Sequence, residues 1–271
     1  PDTVPCVACA AGEWDMCRNG EYTEHGIKQI HGFGSRRWSI PAEHAVKLAP
    51  NLEKVGVLLE PTTVVAKAWE QVERIGSRAY FDPKRVLVTG AGPIGMSALL
   101  FAKARGANVT VMDTREDRLA FARDRLGADA VLLADANAEE NARRLTGSDW
   151  FDVVVDATGA AAPIERGFGF LAHGARYVLL SVVRDSLTFS DPEFHKREAT
   201  LLASRNAQPE DFAEVARVTN TPPPPGPRAP SDGPPHPITR IDTEEKIVRW
   251  LESLGAEEVS ASVLDLRVPR T

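Results

Sequence analysis

Cysteine is scarce in this 271-residue sequence, which contains three, all of them within the first seventeen positions. Disulfide-stapled secreted domains carry more cysteines, spread along the chain, so Cys6, Cys9 and Cys17 argue against a disulfide framework. A tight group of cysteines instead indicates a metal site or reduced thiols. A reducing compartment suits both, and we therefore expect a cytoplasmic protein.

Long apolar runs and an excess of positive charge are also lacking. No uninterrupted apolar stretch of the sequence approaches the roughly 18 residues that suggest a membrane span. The 32 basic and 38 acidic residues give a net charge of -6, and an acidic surface does not favour polyanions. The sequence therefore predicts no membrane partner and no nucleic-acid partner.

Predicted strands and helices alternate along the middle of the chain. Short apolar stretches are separated by helical patterns of about ten residues, as in a mostly parallel, doubly wound α/β sheet. Residues 37–48 are also predicted as strand material, before a turn at Pro50. The other predicted strands are 85–89, 108–112, 130–133, 152–156 and 175–182, and the predicted helices are 55–75, 94–105, 116–126, 138–145 and 163–171.

Proline fills nine of the seventeen positions from 221 to 237. Its fixed φ and missing amide hydrogen exclude a helix or a central strand there. We expect an exposed, partly extended linker, with a ligand for proline-binding modules as the alternative. Beyond it, the patterns predict a helix over 243–254 and a closing strand over 259–266.

A glycine turn joins the strand 85–89 to the helix that follows, with the sequence GAGPIG from Gly90 to Gly95. Gly90 permits a tight turn, Gly92 leaves room for a pyrophosphate, and Gly95 lets helix and strand pack closely. The predicted helix begins at Ile94, and we assign Pro93 and Ile94 to the cofactor site because free amides and the positive end of the helix dipole favour phosphate there. The motif in this context predicts a Rossmann dinucleotide site.

An acid stands where that site needs one. Asp113 ends the next strand, 18 residues after Gly95, where a carboxylate accepts hydrogen bonds from the adenosine ribose. We assign the following Thr114 and Arg115 to the cofactor as well. The alternative is a glycine turn in an unrelated α/β protein, with Asp113 as a helix cap.

Charges near the turn bear on the cofactor. Asp113 repels a 2'-phosphate and favours NAD. Arg115 and Arg118 either reach toward the 2'-phosphate of NADP or lie solvated on a helix face, so we expect NAD with NADP as the alternative. A later strand ends in Asp156-Ala-Thr158-Gly, on the same predicted edge of the sheet. We assign Thr158 to the cofactor crevice, with a plain turn as the alternative.

The cysteines follow the pattern Cys6-x2-Cys9-x7-Cys17, and thiolates at this spacing can surround one structural zinc ion. Three thiolates are one ligand short. Thr3 occupies the position where a further x2 spacing would put a fourth cysteine, and Asp2 or a residue upstream could substitute. A metal-free lobe of reduced thiols is the alternative.

With these motifs the chain resembles the zinc-dependent medium-chain dehydrogenases, and within them the archaeal type of glucose 1-dehydrogenase. The closest signature is DMCRNGEYTEHGI, from Asp15 to Ile27. The resemblance implies a remnant of a GroES-like catalytic domain over 1–60, an NAD(P)-binding Rossmann domain over 61–207, and a C-terminal segment over 208–271.

The resemblance also implies site residues. Glu24 matches an acid that contacts sugar hydroxyls, Glu60 a ligand of the catalytic zinc, and Asn206 an asparagine near nicotinamide and sugar. From chemistry alone they are a surface carboxylate, a helix N-terminal carboxylate and a turn amide. In such a site zinc lowers the pKa of the C1 hydroxyl of an aldose, and hydride passes to NAD(P), leaving a lactone.

The family places two further catalytic zinc ligands before the cysteine lobe, in a stretch that this sequence does not contain. We therefore expect an N-terminally truncated chain that binds dinucleotide. The alternatives are a sugar-acid, polyol or threonine dehydrogenase, or a non-catalytic dinucleotide-binding protein. Family members are usually dimers or tetramers, and we expect a homo-oligomer formed through the free edge of the sheet.

Overall fold

A computed structural model describes residues 4–52, 55–78 and 84–220. Within them, residues 4–45 form one compact unit and the remainder form a second. The predicted proline-rich linker, the helix 243–254 and the strand 259–266 lie outside the described residues. No helix in the described part is both long and apolar enough to cross a membrane.

The first unit contains little regular structure. It has a one-turn helix, α1 (Val7–Ala10), and a two-stranded sheet of β1 (Glu24–His25) and β2 (Gln29–Ile30). The strand predicted over 37–48 is wrong, because this stretch is irregular apart from a 3-10 turn at Ala42–His44. Pro41 supplies no amide hydrogen to a ladder, and the largely exposed side chains offer no buried face to drive strand pairing.

The second unit is built on a six-stranded parallel sheet in the order β5-β4-β3-β6-β7-β8, with strand order reversing between β3 and β6. This confirms the predicted doubly wound α/β fold. The strands are β3 (Arg85–Thr89), β4 (Asn108–Asp113), β5 (Ala130–Leu133), β6 (Phe151–Asp156), β7 (Leu171–Leu179) and β8 (Thr200–Ala203). The helices are α2 (Leu59–Gly76), α3 (Pro93–Ala104), α4 (Glu116–Leu126), α5 (Ala138–Thr146), α6 (Ala161–Gly167), α7 (Asp191–Lys196) and α8 (Pro209–Asn220).

Both faces of the sheet are buried, which explains its continuous apolar strands. On β3, Val86 and Val88 enter the core shared with α2, α3, α4 and α8, whereas Leu87 enters the core shared with α5 and α6. Arg105, just after α3, links the helices on the face of the sheet that Val86 and Val88 enter. Its guanidinium donates to Glu73 of α2 at 2.6 Å and to Glu214 of α8 at 3.0 Å.

Candidate functional site

The glycine turn follows β3 at the carboxyl edge of the sheet, and two of its glycines are fixed by close backbone contacts. Gly90 has φ +92°, and a Cβ there would lie 2.6 Å from the carbonyl oxygen of Ala157. A Cβ on Gly95 would lie 1.8 Å from the carbonyl oxygen of Gly90. Neither position accepts a side chain unless the backbone moves.

Gly92 is different, because a Cβ there would meet no atom within 4 Å. Gly92 is the N-cap of α3, and Pro93 is the first helical residue. The amides of Ile94 and Gly95 lie in the first turn of the helix, where no carbonyl of the same helix can accept from them. An open face bordered by free amides and the positive end of a helix can accommodate a diphosphate.

Asp113 lies beside this turn and is buried. Its Oδ2 accepts a hydrogen bond from the amide of Ala91 at 2.6 Å, and its Oδ1 accepts from the amide of Arg115 at 2.8 Å. The acid therefore braces the turn, a role that the sequence did not predict. A carboxylate has about four lone-pair sites, so each oxygen can still accept from a ribose hydroxyl.

The two arginines after Asp113 are placed differently. The Arg115 guanidinium pairs with Asp117 at 2.5 Å, which raises the pKa of Arg115 and lowers that of Asp117. Arg118 lies 3.8 Å from Oδ2 of Asp113 and faces it more directly. Thr114, between Asp113 and Arg115, is exposed. The strand end thus presents one acid with a cation close by.

Asp156, at the end of β6, is fully buried next to the same turn. Its Oδ1 accepts hydrogen bonds from the hydroxyls of Thr158 at 2.7 Å and Thr89 at 3.2 Å. Its Oδ2 has no hydrogen-bond partner within the described part of the chain. The sequence singled out Thr158 but missed Asp156 as the residue that orients it. The available signal was an acid directly after three buried valines, Val153 to Val155.

Two more predicted residues belong to the carboxyl edge of this unit. Asn206 follows β8 with φ +53°, a conformation that asparagine tolerates. Glu60 is exposed in the first turn of α2. The hydroxyls of Thr62 and Ser97 lie 3.1 Å apart and hold that turn beside the first turn of α3.

In the first unit, the sulfur atoms of Cys6, Cys9 and Cys17 all lie within 4.8 Å of one another. Tetrahedral zinc with bonds of about 2.3 Å would place sulfurs about 3.8 Å apart, so a small adjustment suits the ion. Amides of Cys9 and Arg18 lower the pKa of Cys6 to about 6, whereas burial raises that of Cys9 to about 11. These amide hydrogen bonds favour the thiolate form of Cys6, which is the form that binds metal.

Glu60, the predicted ligand of the catalytic zinc, and Glu24, the predicted sugar-binding residue, do not belong to such a cluster in the described part of the chain. Within the described ranges, the cysteines form the single group of three or more candidate metal ligands, and Glu60 does not belong to one. The described residues gather no group of metal ligands around Glu60, so its role at a catalytic zinc stays a prediction from the family resemblance. Glu24 is half-buried in β1, within the first unit.

The turn geometry predicts that the same substitution lowers the free energy of unfolding by different amounts at Gly95 and Gly92. Gly95→Ala should lower the free energy of unfolding by about 2–3 kcal/mol, because its Cβ overlaps a backbone carbonyl. Gly92→Ala should lower it by no more than about 1 kcal/mol, the cost of alanine in place of glycine at an N-cap, since its Cβ enters open space. Urea denaturation of both variants measures the difference, and equal losses would contradict this description of the turn.

Comparisons with known proteins agree on one family. Residues 93–221 match the family model described as zinc-binding dehydrogenase. The chain is 35% identical over 216 residues to the L-galactonate-5-dehydrogenase of Escherichia coli K12, covering 79% of this chain and 60% of that protein. It is 36% identical over 158 residues to the glucose 1-dehydrogenase of Methanocella arvoryzae, covering 58% and 43%. The chain spans about half the length of the curated relatives it matches.

Solved structures show the same fold. Glucose dehydrogenase from Haloferax mediterranei, solved in complex with NADP, Zn and gluconolactone, superposes with a TM-score of 0.71 at 22% identity, covering 81% of this chain and 63% of that one. Galactitol-1-phosphate dehydrogenase from Escherichia coli gives 0.68 at 20% identity, covering 80% and 64%. The matched segment, residues 93–221, thus belongs to the zinc-binding dehydrogenase family, and the curated relatives extend the likeness over most of the chain.

Proposed function

We propose that this chain binds NAD(P) at the glycine turn and forms part of an enzyme that oxidises a sugar hydroxyl by hydride transfer. The observation that carries the proposal is the open face at Gly92, where a side chain would meet no atom within 4 Å, bordered by the first turn of α3. The close approaches at Gly90 and Gly95 are filled by backbone, whereas the open position at Gly92 leaves a pyrophosphate access to the first amides of α3.

Neighbouring residues bind the different parts of the cofactor. The pyrophosphate lies over Gly92 and accepts from the amides of Ile94 and Gly95. Asp113 accepts from the adenosine ribose while it braces the turn. Thr158 and Asn206 follow strands that end at the same edge, where the nicotinamide half lies. The bound cofactor supplies the hydride acceptor, and these residues orient it.

NAD is the first choice of cofactor, because the buried Asp113 carboxylate repels a 2'-phosphate. Arg118, 3.8 Å from that carboxylate, supports NADP as the alternative, since a small movement would bring its guanidinium to a 2'-phosphate. The Haloferax mediterranei relative was solved with NADP.

The substrate we propose is an aldose, oxidised at C1 to its lactone, with Glu24 and Asn206 as sugar-binding residues. The glucose 1-dehydrogenase relatives support this choice. A sugar acid is the second candidate, because the L-galactonate-5-dehydrogenase relative matches the larger share of this chain. Reduction of NAD and NADP with glucose, galactose and L-galactonate separates the two. Dinucleotide binding without turnover of any sugar would instead favour a non-catalytic binding protein.

We also propose a structural zinc ion on Cys6, Cys9 and Cys17, which the clustered sulfurs support. The three cysteines are free thiols, which supports a cytoplasmic location. A homo-oligomer formed through β8 is proposed because this strand lies at the edge of the sheet and Leu201 on it is 40% exposed.

Blocking the open face tests cofactor binding. Gly92→Val should weaken NAD at least about 100-fold in titration calorimetry, because it removes two charge-assisted hydrogen bonds worth about 1.5 kcal/mol each. Gly169→Val is the matched control, since a Cβ there also meets nothing within 4 Å and Gly169 lies before β7, away from the turn. Unchanged NAD affinity in Gly92→Val, with the control intact, would refute the proposed site.

Elemental analysis tests the zinc proposal. The full chain, purified with zinc in the buffer, should carry about one zinc per chain, and Cys9→Ser should lose it because the buried central ligand is gone. Glu24→Gln, a change in the same unit outside the cysteine cluster, should keep the metal. Zinc absent from the wild-type chain, or retained in Cys9→Ser, would contradict the assignment.

A further inference from the structure

Lys67 is a buried lysine of α2, with 8% of its surface exposed. Lysine is rarely buried unless oxygen atoms partner its ammonium group. Here the Nζ atom donates a hydrogen bond to the carbonyl oxygen of Arg205 at 3.4 Å. The bond is long, but its donor carries a full charge in a buried place, where attraction to a carbonyl dipole is strong. That carbonyl belongs to the peptide group that precedes Asn206, the predicted nicotinamide residue.

Asp211, in the first turn of α8, supplies the opposite charge and is also buried. Burial raises the pKa of Asp211, and the amide of Gln208 and the ammonium group of Lys67 partly lower it. The Asp211 carboxylate accepts a hydrogen bond from the Gln208 amide at 2.8 Å, and the Asp211 amide donates to the Gln208 carbonyl at 3.0 Å. Lys67 is therefore close to an acid that fixes the start of α8.

The loop between β8 and α8 is held on both sides of Asn206. Before Asn206, the Ser204 hydroxyl donates to the carbonyl of Val64 at 2.8 Å, one turn before Lys67 in α2. After Asn206, Gln208 is bonded to the first turn of α8. Asn206 itself has φ +53°, a left-handed conformation that persists in a residue other than glycine where the surrounding structure holds it. The bonds from α2 and α8 supply that restraint.

We propose that Lys67 is a positioning residue, which holds the Arg205 carbonyl and so sets the direction in which Asn206 presents its amide to the nicotinamide half of the dinucleotide. This inference rests on the proposed function, in which Asn206 contacts that half. The torsion φ of Asn206 begins at the carbonyl carbon of Arg205, so the bond from Lys67 restrains this torsion directly. In this role Lys67 acts through the loop rather than on the cofactor, as the supporting residues of binding sites do.

The adenosine half of the proposed site is built by other elements. The glycine turn follows β3, and Asp113 ends β4, whereas Lys67 and Arg205 belong to α2 and to the loop after β8. Loss of the Lys67 bond should therefore weaken a ligand that carries nicotinamide and spare one that lacks it. ADP-ribose is such a ligand, because it shares the adenosine, the diphosphate and the second ribose of NADH but has no nicotinamide.

Titration calorimetry of the full chain with NADH and with ADP-ribose tests the inference. Lys67→Met keeps a long unbranched side chain without the ammonium group. It should weaken NADH about three- to tenfold, as expected for one lost hydrogen bond to nicotinamide, and leave ADP-ribose within about twofold. Ser204→Ala removes the second bond between the loop and α2, and should show the same selective loss whether or not Lys67→Met folds. Lys103→Met, which removes a lysine from the last turn of α3, is the matched control and should leave both affinities unchanged.

A double-variant cycle separates positioning from a general loss of stability. Asn206→Ala should weaken NADH by a similar factor, and adding Lys67→Met should weaken it no further, because both changes remove the same contact. Equal losses of NADH and ADP-ribose in Lys67→Met and Ser204→Ala, or no loss of either, would overturn the inference while leaving the dinucleotide site in place. Additive losses in the double variant would do the same. A wild-type chain that binds neither ligand would refute the dinucleotide site, and this inference with it.

Discussion

The contact between the start of α3 and the turn that precedes it determines the rest of this unit. A single methyl group on Gly95 would overlap the carbonyl oxygen of Gly90, and one on Gly90 would overlap that of Ala157. The backbones of α3, the glycine turn and the segment after β6 are therefore in direct contact, with no room for a side chain at Gly90 or Gly95. This close packing aims the first amides of α3 outward, over Gly92, and Asp113 fixes the turn by accepting from Ala91. The candidate cofactor site therefore depends on these backbone distances together with the Asp113 carboxylate.

The two edges of the sheet have opposite character. At the carboxyl edge, the candidate site uses backbone amides and buried acids, Asp113 and Asp156. At the amino edge, lysine and histidine side chains line a cavity whose acids are already paired. A doubly wound sheet allows this division, since the strand ends of each edge come from the same few elements but from different residues.

Much of the fold follows from local patterns. The strands Arg85–Thr89 and Ala130–Leu133 and the helix Glu116–Leu126 have the predicted bounds, because each combines an apolar period with a clear stop. The predicted helix 163–171 instead ends at Gly167, and β7 begins at Leu171. The pairing of β7 with β6 shifts register between Phe151 and Val153, so the start of β7 lacks a regular strand pattern in the sequence. The elements α7, β8 and α8 were missed, because short half-exposed segments give weak periodic signals.

The site was predictable where spacing encodes geometry and unpredictable where it depends on long-range packing. GxGxxG and an acid 18 residues later identify the turn and Asp113. They do not reveal that Asp113 also holds the Ala91 amide, or that Asp156 accepts from Thr89 on the neighbouring strand as well as from Thr158. The cavity at the amino edge is lined by residues that are more than 100 positions apart in the sequence, and no local sequence pattern predicts it. The roles of Glu24, Glu60 and Asn206 rest on family resemblance and stay predictions.

Hydrogen exchange of the full chain, followed by mass spectrometry with and without NADH, tests the central claim most directly. Bound dinucleotide should slow exchange in peptides that contain the turn from Gly90 to Gly95 and the end of β4 at Asp113, because their amides become hydrogen-bonded and shielded. Peptides from the amino edge of the sheet should exchange at unchanged rates. Protection confined to other regions, or no change at saturating NADH, would contradict the account.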